Sequence, residues 1–192
     1  MIEDLNKYWQ SSYKDFVPEA HNLKHTYKDR WVRFHALPDS KRYPESTEEY
    51  AEILRRYRKL LIETCGADET LYVVIPEYSE SKLPGKPEAE AAKLFKDTQY
   101  WISAPQHEEG DEDEFYWHLH ADISSISNPS LEELFRLVAD EVIGNVLLID
   151  INNNVVMHPY DGGIDVIMAN SMLRDDMKSK YKKWLSTHPE GY

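Results

Sequence analysis

The sequence predicts an α+β fold, a single domain with a mainly antiparallel sheet that amphipathic helices cover. Hydrophobic residues at 41% and aromatic residues at 12% supply enough apolar surface for one core in 192 residues. Helix-like and strand-like segments alternate along the chain without an internal repeat. The last three strand-like segments follow one another through short turns, which favours antiparallel pairing. We therefore expect residues 1–192 to form one domain.

The first third of the chain predicts two amphipathic helices with a strand between them. Apolar and aromatic residues at helical spacing predict a helix over residues 3–16. Residues 31–37 alternate between two faces, as the residues of a strand do. Ser46 and Glu49 have the spacing of a capping box, and an apolar stripe follows them. These signals predict a helix over residues 47–64.

The middle of the chain predicts three strands and a short helix. Gly66 ends the preceding helix, because glycine is favoured just past a helix C-terminus. Residues 70–78 have the composition of a strand, and a short helix is predicted at residues 87–95. Residues 98–104 and 115–123 then form a predicted pair of strands.

The last third of the chain predicts a helix, three strands and a final helix. Pro129 in the first turn and an apolar stripe predict a helix over residues 130–142. The asparagines at residues 152–154 predict a tight turn, because asparagine tolerates positive φ. The final helix begins at Asn170 or Ser171 and is predicted to end near His188 and Pro189. The three predicted strands lie at residues 146–151, 155–157 and 164–168.

The formal net charge of −13, from 22 basic and 35 acidic residues, restricts the expected partners. Nucleic acid and anionic membranes bind proteins through lysine and arginine, so neither is an expected partner. A basic protein is the better electrostatic match. The N-terminus lacks the basic and apolar regions of a leader, and no apolar run approaches the length of a membrane span. We therefore expect a soluble cytoplasmic protein.

The sequence offers little for cysteine or cofactor chemistry. The single cysteine, Cys65, excludes an internal disulfide, and its place in an apolar stripe indicates a small buried hydrophobic residue. There is no P-loop, G-x-G-x-x-G, G-x-S-x-G or C-x-x-C pattern. Nucleotide binding, elbow-serine hydrolysis and thioredoxin-like chemistry therefore have no support. We expect no cofactor and assign no catalytic residue.

Polar groups are concentrated around the predicted reversal between the last two strands. His158, Tyr160, Asp161 and Asp165 offer hydrogen-bond donors, acceptors and titratable groups over a short stretch. In one interpretation they form a binding site. In the other they serve the turn, with Asp161 bonding its own backbone and the following glycines supplying φ freedom.

A second polar group lies in the first predicted strand and the loop after it. It contains Arg33, His35, Arg42 and Tyr43. An arginine between aromatic residues of a strand pairs with a buried carboxylate, and Asp161 or Asp165 is the expected partner of Arg33. This pairing is a structural clamp in one interpretation. In the other, convergent arginine, histidine and tyrosine groups bind a small anionic ligand where the early strand meets the final hairpin.

His118, His120 and Asp122 lie on one face of a predicted strand, because side chains alternate with period two. Two imidazoles and a carboxylate at this spacing can share a transition metal. The run resembles the H-x-H-x-D-H signature of metallo-β-lactamase-fold hydrolases, but Ile123 stands in place of the last histidine. We assign no metal to it. The alternative is a polar, solvent-facing side of the strand, with Tyr116 on the opposite side.

The segment at residues 107–114, His-Glu-Glu-Gly-Asp-Glu-Asp-Glu, carries like charges that repel one another and attract water. It predicts an exposed hairpin loop between two strands. In a functional interpretation, Glu108, Glu109, Asp111 and Glu112 present negative charge to a basic partner. In the plainer interpretation the loop is merely solvated.

Three segments together resemble a known family. The first contains Arg33 and Phe34, and the last is a helix with Tyr181 and Trp184 in a Y-x-x-W pattern. The middle segment consists of His158, Pro159, Tyr160, Asp161, Gly163, Asp165, Val166 and Ile167. From about Trp31 onward the chain resembles an uncharacterised bacterial family, a domain of unknown function. The resemblance implies a bacterial cytoplasmic protein and implies no reaction or ligand.

The leading hypothesis is a non-enzymatic acidic module that binds a basic protein, with an immunity protein that neutralises a cationic toxin as its specific form. The net charge, the acidic segment and the missing catalytic motifs favour this hypothesis. The alternative is a small-ligand-binding protein or a hydrolase-type enzyme. That alternative is centred on Arg33, His158 and Asp161, or on a metal at the histidine-containing strand.

Overall fold

Seven strands form one sheet at the centre of the molecule. The computed structural model describes residues 1–14, 16–67, 69–106, 114–186, 188 and 191. The strands are β1 (Trp31–His35), β2 (Thr70–Ser79), β3 (Gln99–Gln106), β4 (Phe115–Ser125), β5 (Leu147–Asp150), β6 (Val155–Tyr160) and β7 (Gly163–Ile167). Their order across the sheet is β1-β7-β6-β5-β2-β4-β3, and all neighbouring pairs are antiparallel. The predicted α+β fold is confirmed.

The helices are α1 (Ile2–Ser12), α2 (Leu23–Thr26), α3 (Thr47–Cys65), α4 (Ala89–Leu94), α5 (Ser130–Ala139) and α6 (Ser171–Lys180). Side chains that the sequence predicts as caps mark the start of α3 and of α6. Ser46 caps α3 by accepting a hydrogen bond of 3.3 Å from the backbone N–H of Glu49. Gly66 follows α3 with a φ of +102°. Asn170 caps α6 by accepting a bond of 3.0 Å from the backbone N–H of Leu173.

Four helices are shorter than predicted, and α2 was not predicted. The fourth spans only Ala89–Leu94, and the last ends at Lys180 and not near His188. The first helix ends at Ser12 because the chain then folds back, so that Trp9 Nε1 donates to the carbonyl of Phe16 at 2.7 Å. The fifth helix ends at Ala139, and Glu141 beyond it has a φ of +56°, which an α-helix does not accommodate. The second helix is a single turn, too short to show a periodic pattern.

Helices cover both faces of the sheet. Apolar residues of α3, α4, α5 and α6 pack on one face, here the α3 face, and those of α1 and α2 pack on the other, here the α1 face. Along β2, Leu71 and Val73 contact the α3 face, whereas Tyr72 and Val74 contact the α1 face. Two-sided burial explains why the central strands are continuous apolar runs. Cys65 is buried, as predicted.

The reversal between the last two strands is tighter than predicted. β6 continues through Tyr160 and β7 begins at Gly163, so only Asp161 and Gly162 form the turn. His158 therefore lies within β6 and not at a bend, which corrects the prediction, whereas Asp165 lies in the predicted last strand. The preceding asparagine turn is as expected, with Asn154 at a φ of +52°.

Within the part of the chain that the structure describes, no helix combines the length and apolar character needed to cross a membrane.

Candidate functional site

The predicted polar residues lie in two adjacent rows across three strands. Register pairs Arg33 of β1 with Asp165 of β7, and Asp165 with His158 of β6. In the next row, His35 is paired with Gly163 and Gly163 with Tyr160. All of these positions point to the α1 face, because Val32, Phe34, Ile164 and Val166 between them belong to the core of the α3 face. The structure therefore brings together an early strand and the final hairpin.

Arg33 and Asp165 form a two-pronged ion pair in the first row. Arg33 Nε donates to Asp165 Oδ1 at 2.7 Å, and its Nη2 donates to Oδ2 at 2.8 Å. The Arg33 side chain is 14% exposed and that of Asp165 is 5% exposed. The guanidinium carbon also lies 4.7 Å from the centre of the Tyr160 ring. Arg33 thus pairs with one of its two expected carboxylates, in the fork geometry that favours arginine over lysine.

Arg42 and Asp161 form a second ion pair at the turn. Arg42 Nε donates to Asp161 Oδ2, although the Arg42 side chain is 60% exposed and that of Asp161 only 8%. Asp161 was predicted to bond its own backbone, and the arginine side chain accounts for one of its oxygens instead. The two arginines and two aspartates of the predicted site are therefore paired with one another, which is what a structural clamp requires.

A tyrosine side chain of α3 holds the turn from the other face of the sheet. The hydroxyl of Tyr57 in α3 donates to the carbonyl of Gly163 at 2.6 Å and lies 2.9 Å from the carbonyl of Tyr160. A Cβ atom at Gly163 would overlap the carbonyl oxygen of Phe34 and lie 2.9 Å from the Tyr160 hydroxyl. Gly163 is therefore needed for close approach and not for φ freedom, which corrects that part of the prediction.

His158 is buried beside Asp165 without a hydrogen bond to the described residues. It is 7% exposed, and neither ring nitrogen has a partner there. Burial lowers the pKa of His158 from its ordinary value to about 4, and the negative charge of Asp165 opposes this effect only in part. Burial also lowers the pKa of His35. Both imidazoles are accordingly neutral near pH 7, so they add polarity to the site without adding charge.

The acidic loop cannot be placed beside these residues. Glu108, Glu109, Asp111 and Glu112 all lie outside the described residues. The predicted role of this loop stays a prediction.

The histidine-containing strand is buried and bonded, not solvent-facing. His118 is fully buried, with Nδ1 at 2.6 Å from Ser103 Oγ and Nε2 at 2.8 Å from the carbonyl of Ser81. His120 Nε2 lies 3.1 Å from Glu77 Oε2. Tyr116 stacks on His118 with ring centres 5.8 Å apart, so it lies on the same side of the strand, contrary to prediction.

These contacts leave little for a metal to bind. Both ring nitrogens of His118 already have protein partners, and the Asp122 carboxylate accepts from the backbone N–H groups of Asp97 and Ile123. Among the described residues, no group of three or more histidine, cysteine, aspartate or glutamate side chains is arranged to hold a metal ion. Burial raises the pKa of the Cys65 thiol to about 12, so it is a poor nucleophile.

Ser103 is a functional candidate that the sequence did not indicate. The carbonyl of Ser81 only accepts hydrogen bonds, so a neutral His118 donates from Nε2 and accepts from the Ser103 hydroxyl at Nδ1. Tyr100 OH lies 2.9 Å from the same hydroxyl. A serine that donates to an imidazole is the first element of nucleophilic catalysis, although it is also an ordinary way to satisfy a buried histidine.

An exposed surface of tyrosine and acidic residues lies where α3 begins and α5 ends. Tyr43 OH donates to Glu141 Oε1 at 3.3 Å, and Tyr50 OH donates to Asp140. Val142 beside them is 47% exposed. We call these five residues the acidic tyrosine surface. No sequence signal joins them, because the bonded partners are 90 and 98 positions apart.

Comparison with known proteins identifies a family and no characterised relative. The family model DUF3885, described as a domain of unknown function, matches residues 20–189. No curated protein and no solved structure matches the chain.

Proposed function

We propose that this chain, which belongs to the DUF3885 family of domains of unknown function, is a non-enzymatic module that binds a basic protein. Its specific form in this proposal is an immunity protein that neutralises a cationic toxin in a bacterial cytoplasm. The net charge of −13 supports a basic partner, because opposite charges accelerate encounter and disfavour wrong partners.

The acidic tyrosine surface is the observation that carries this proposal. Tyrosine is enriched among the residues that contribute most to binding, and a surrounding set of charged residues sets orientation and association rate. Here Tyr43 is 46% exposed, and the exposed carboxylates of Asp140 and Glu141 lie beside the two tyrosine hydroxyls. Glu48 at the start of α3 is also exposed and adds negative charge, whereas Glu45 before the helix is paired with Lys41 at 2.9 Å.

The polar corner, formed by Arg33, Arg42, His158, Asp161 and Asp165, supports a non-enzymatic role through its ion pairs. Arg33 bonds Asp165 and Arg42 bonds Asp161, so these charged groups stabilise the sheet and its turn. Catalysis by such groups requires an acid or base aimed at a substrate, with a pKa suited to proton transfer. The buried, neutral His158 beside Asp165 does not meet that requirement.

Affinity purification with two matched variants tests the proposal. Tagged wild-type protein is compared with Tyr43→Ala/Asp140→Asn/Glu141→Gln, in which the acidic tyrosine surface is altered. The control is Glu3→Gln/Asp4→Asn in α1, which also removes two negative charges, here from exposed side chains of another helix. We expect wild type and control to retain one basic protein from the native host, or a cationic toxin encoded beside the gene, at near-stoichiometric yield.

Two outcomes contradict the proposal. One is equal retention of the partner by the surface variant and the control, which would place binding elsewhere. The other is a wild-type protein that retains no basic protein and fails to protect cells from any toxin encoded next to it.

The acidic loop supplies a further test of the same function. Neutralisation of Glu108, Glu109, Asp111 and Glu112 together is expected to slow association strongly at low salt, with a smaller effect at high salt. An unchanged association rate would remove the loop from the interface.

A hydrolase is the second candidate, and one specific contact favours it. Ser103 lies 2.6 Å from His118 Nδ1, and the carbonyl of Ser81 orients the imidazole through Nε2. Such a serine would react with a fluorophosphonate probe, and Ser103→Ala would abolish the labelling. Wild-type protein that stays unlabelled would exclude a serine hydrolase and leave the contact as the bond of a buried histidine.

A further inference from the structure

A cleft along the free edge of the sheet has the opposite charge from the rest of the molecule. It has a volume of about 440 Å³ and lies between β1, α6 and the segment that follows α6. Its walls include Lys28, Trp31, Arg33, Arg174, Lys178 and Leu185. Among its described lining residues, four are lysine or arginine and none is acidic. We call this feature the basic cleft.

Among the described residues, no acidic side chain pairs with either lysine of the basic cleft. These two lysines, Lys28 and Lys178, are exposed. Other lysines of the chain, such as Lys41, Lys59 and Lys93, are paired with glutamates at 2.5 to 2.9 Å. The cleft therefore concentrates positive potential in a chain whose net charge is −13.

The two arginines of the cleft are held in place by other contacts. Asp165 fixes the Arg33 guanidinium through two hydrogen bonds. Arg174 is bonded through Nε to Asp175 at 2.6 Å, and its Nη1 reaches the backbone carbonyl of Lys28 at 3.5 Å. Arginines that are already oriented lose less conformational entropy when a ligand binds.

We propose that the basic cleft binds a small multivalent oxyanion, of the kind carried by phosphorylated metabolites. Lys28 and Lys178 supply mobile positive charge, Arg174 supplies an oriented guanidinium, and the Trp31 and Leu185 side chains form an apolar wall. The volume falls within the range of small-molecule sites. This site is independent of the acidic tyrosine surface, because its charge has the opposite sign and it lies on different elements.

Titration calorimetry with inorganic pyrophosphate and with citrate tests the inference. The variant is Lys28→Gln/Lys178→Gln, which leaves the Arg33–Asp165 pair intact. The matched control is Lys86→Gln/Lys96→Gln, two exposed lysines that do not line the cleft. We expect saturable one-to-one binding to wild type and control, and roughly tenfold or greater weakening in the cleft variant.

The two probes separate the sources of the oxyanion. Binding of pyrophosphate alone identifies phosphoryl groups, and binding of both probes identifies a site for multivalent oxyanions in general. Any one of three results overturns the inference. Neither probe binds at concentrations up to about 1 mM, or both lysine variants weaken binding equally. The third result is that a single-stranded oligonucleotide, titrated in the same way, binds more tightly than either probe. None of these results bears on binding of a basic protein.

Discussion

The hydroxyl of Tyr57 donates a hydrogen bond of 2.6 Å to the carbonyl oxygen of Gly163, on the opposite side of the sheet from the Arg33–Asp165 pair. Tyr57 is fully buried in α3, and its ring packs edge-on against Phe135 of α5. One helix hydroxyl thus connects the core of the α3 face to the start of β7. The polar corner is consequently held from both faces of the sheet.

Replacement of Tyr57 by phenylalanine is expected to lower the free energy of unfolding by about 1–3 kcal/mol, because the Gly163 carbonyl loses a donor while its surroundings stay buried. Tyr43→Phe is the control, since that hydroxyl is exposed and its bond to Glu141 is 3.3 Å long. Urea unfolding of both variants measures the difference. Equal stability of the two variants would show that the Tyr57 hydroxyl has no structural role.

Gly163→Ala is expected to destabilise the fold by about 1–3 kcal/mol, because the added methyl group overlaps the backbone carbonyl of Phe34. The Phe34 carbonyl belongs to the backbone of β1, so it cannot move away from the methyl group as the end of a flexible side chain could. Gly144→Ala is the matched control, because its Cβ would meet its nearest neighbour, Tyr78 OH, at 3.7 Å. Thermal unfolding should separate the two variants, and a Gly163→Ala protein as stable as the control would contradict the close approach.

Asp165→Asn is expected to cost about 3 kcal/mol or more, because it leaves the guanidinium of Arg33 mostly buried without its countercharge. Glu3→Gln removes one partner of an exposed pair with Lys7 and should cost less than about 1 kcal/mol. Denaturant unfolding of each variant at pH 7 gives both values. A cost for Asp165→Asn as small as that for Glu3→Gln would mean that the buried pair contributes little.

His158→Leu is expected to weaken the loss of stability at acidic pH. Burial holds the pKa of His158 near 4 in the folded protein, against 6.5 in the unfolded chain. Below pH 6.5 the unfolded state therefore binds more protons, and the free energy of unfolding falls by about 3 kcal/mol by pH 4 through this group alone. The stability difference between wild type and variant should change by that amount between pH 7 and pH 4.

At pH 7 the same variant should be about as stable as wild type, because the leucine removes two ring nitrogens that have no partner among the described residues. Parallel pH profiles of the two proteins would show that His158 stays solvated in the folded state.

Elements with local signals were predictable from the sequence. Ser46 and Gly66 mark the two ends of α3 because capping depends on a few neighbouring residues. The end of α1 was misplaced, because the contact that ends it joins Trp9 to the backbone beyond the helix. Strand order was beyond prediction, because no local pattern places β1 beside β7 or β5 beside β2. Only the contact of Arg33 with Asp165, across 132 positions, was expected, as one of two choices of carboxylate.

The site was predictable as a set of residues but not as an arrangement. Alternation correctly placed His118 and His120 on one side of a strand. It gave no information on what covers that side, and the Ser81 carbonyl and Glu77 turn out to contact the two imidazoles. The basic cleft was missed because its residues come from β1, α6 and the chain before and after them, which meet only in the folded molecule.

Helix α1 lies outside the segment that the family model matches. The family model begins at residue 20, eight positions after α1 ends at Ser12. Leu5 and Trp9 of α1 are nevertheless buried, at 0% and 4% exposure, against the sheet. A polypeptide trimmed to residues 20–189 would therefore lose part of one hydrophobic core and expose apolar sheet surface. In this protein, the segment that the family model matches is shorter than the segment that completes the folded core.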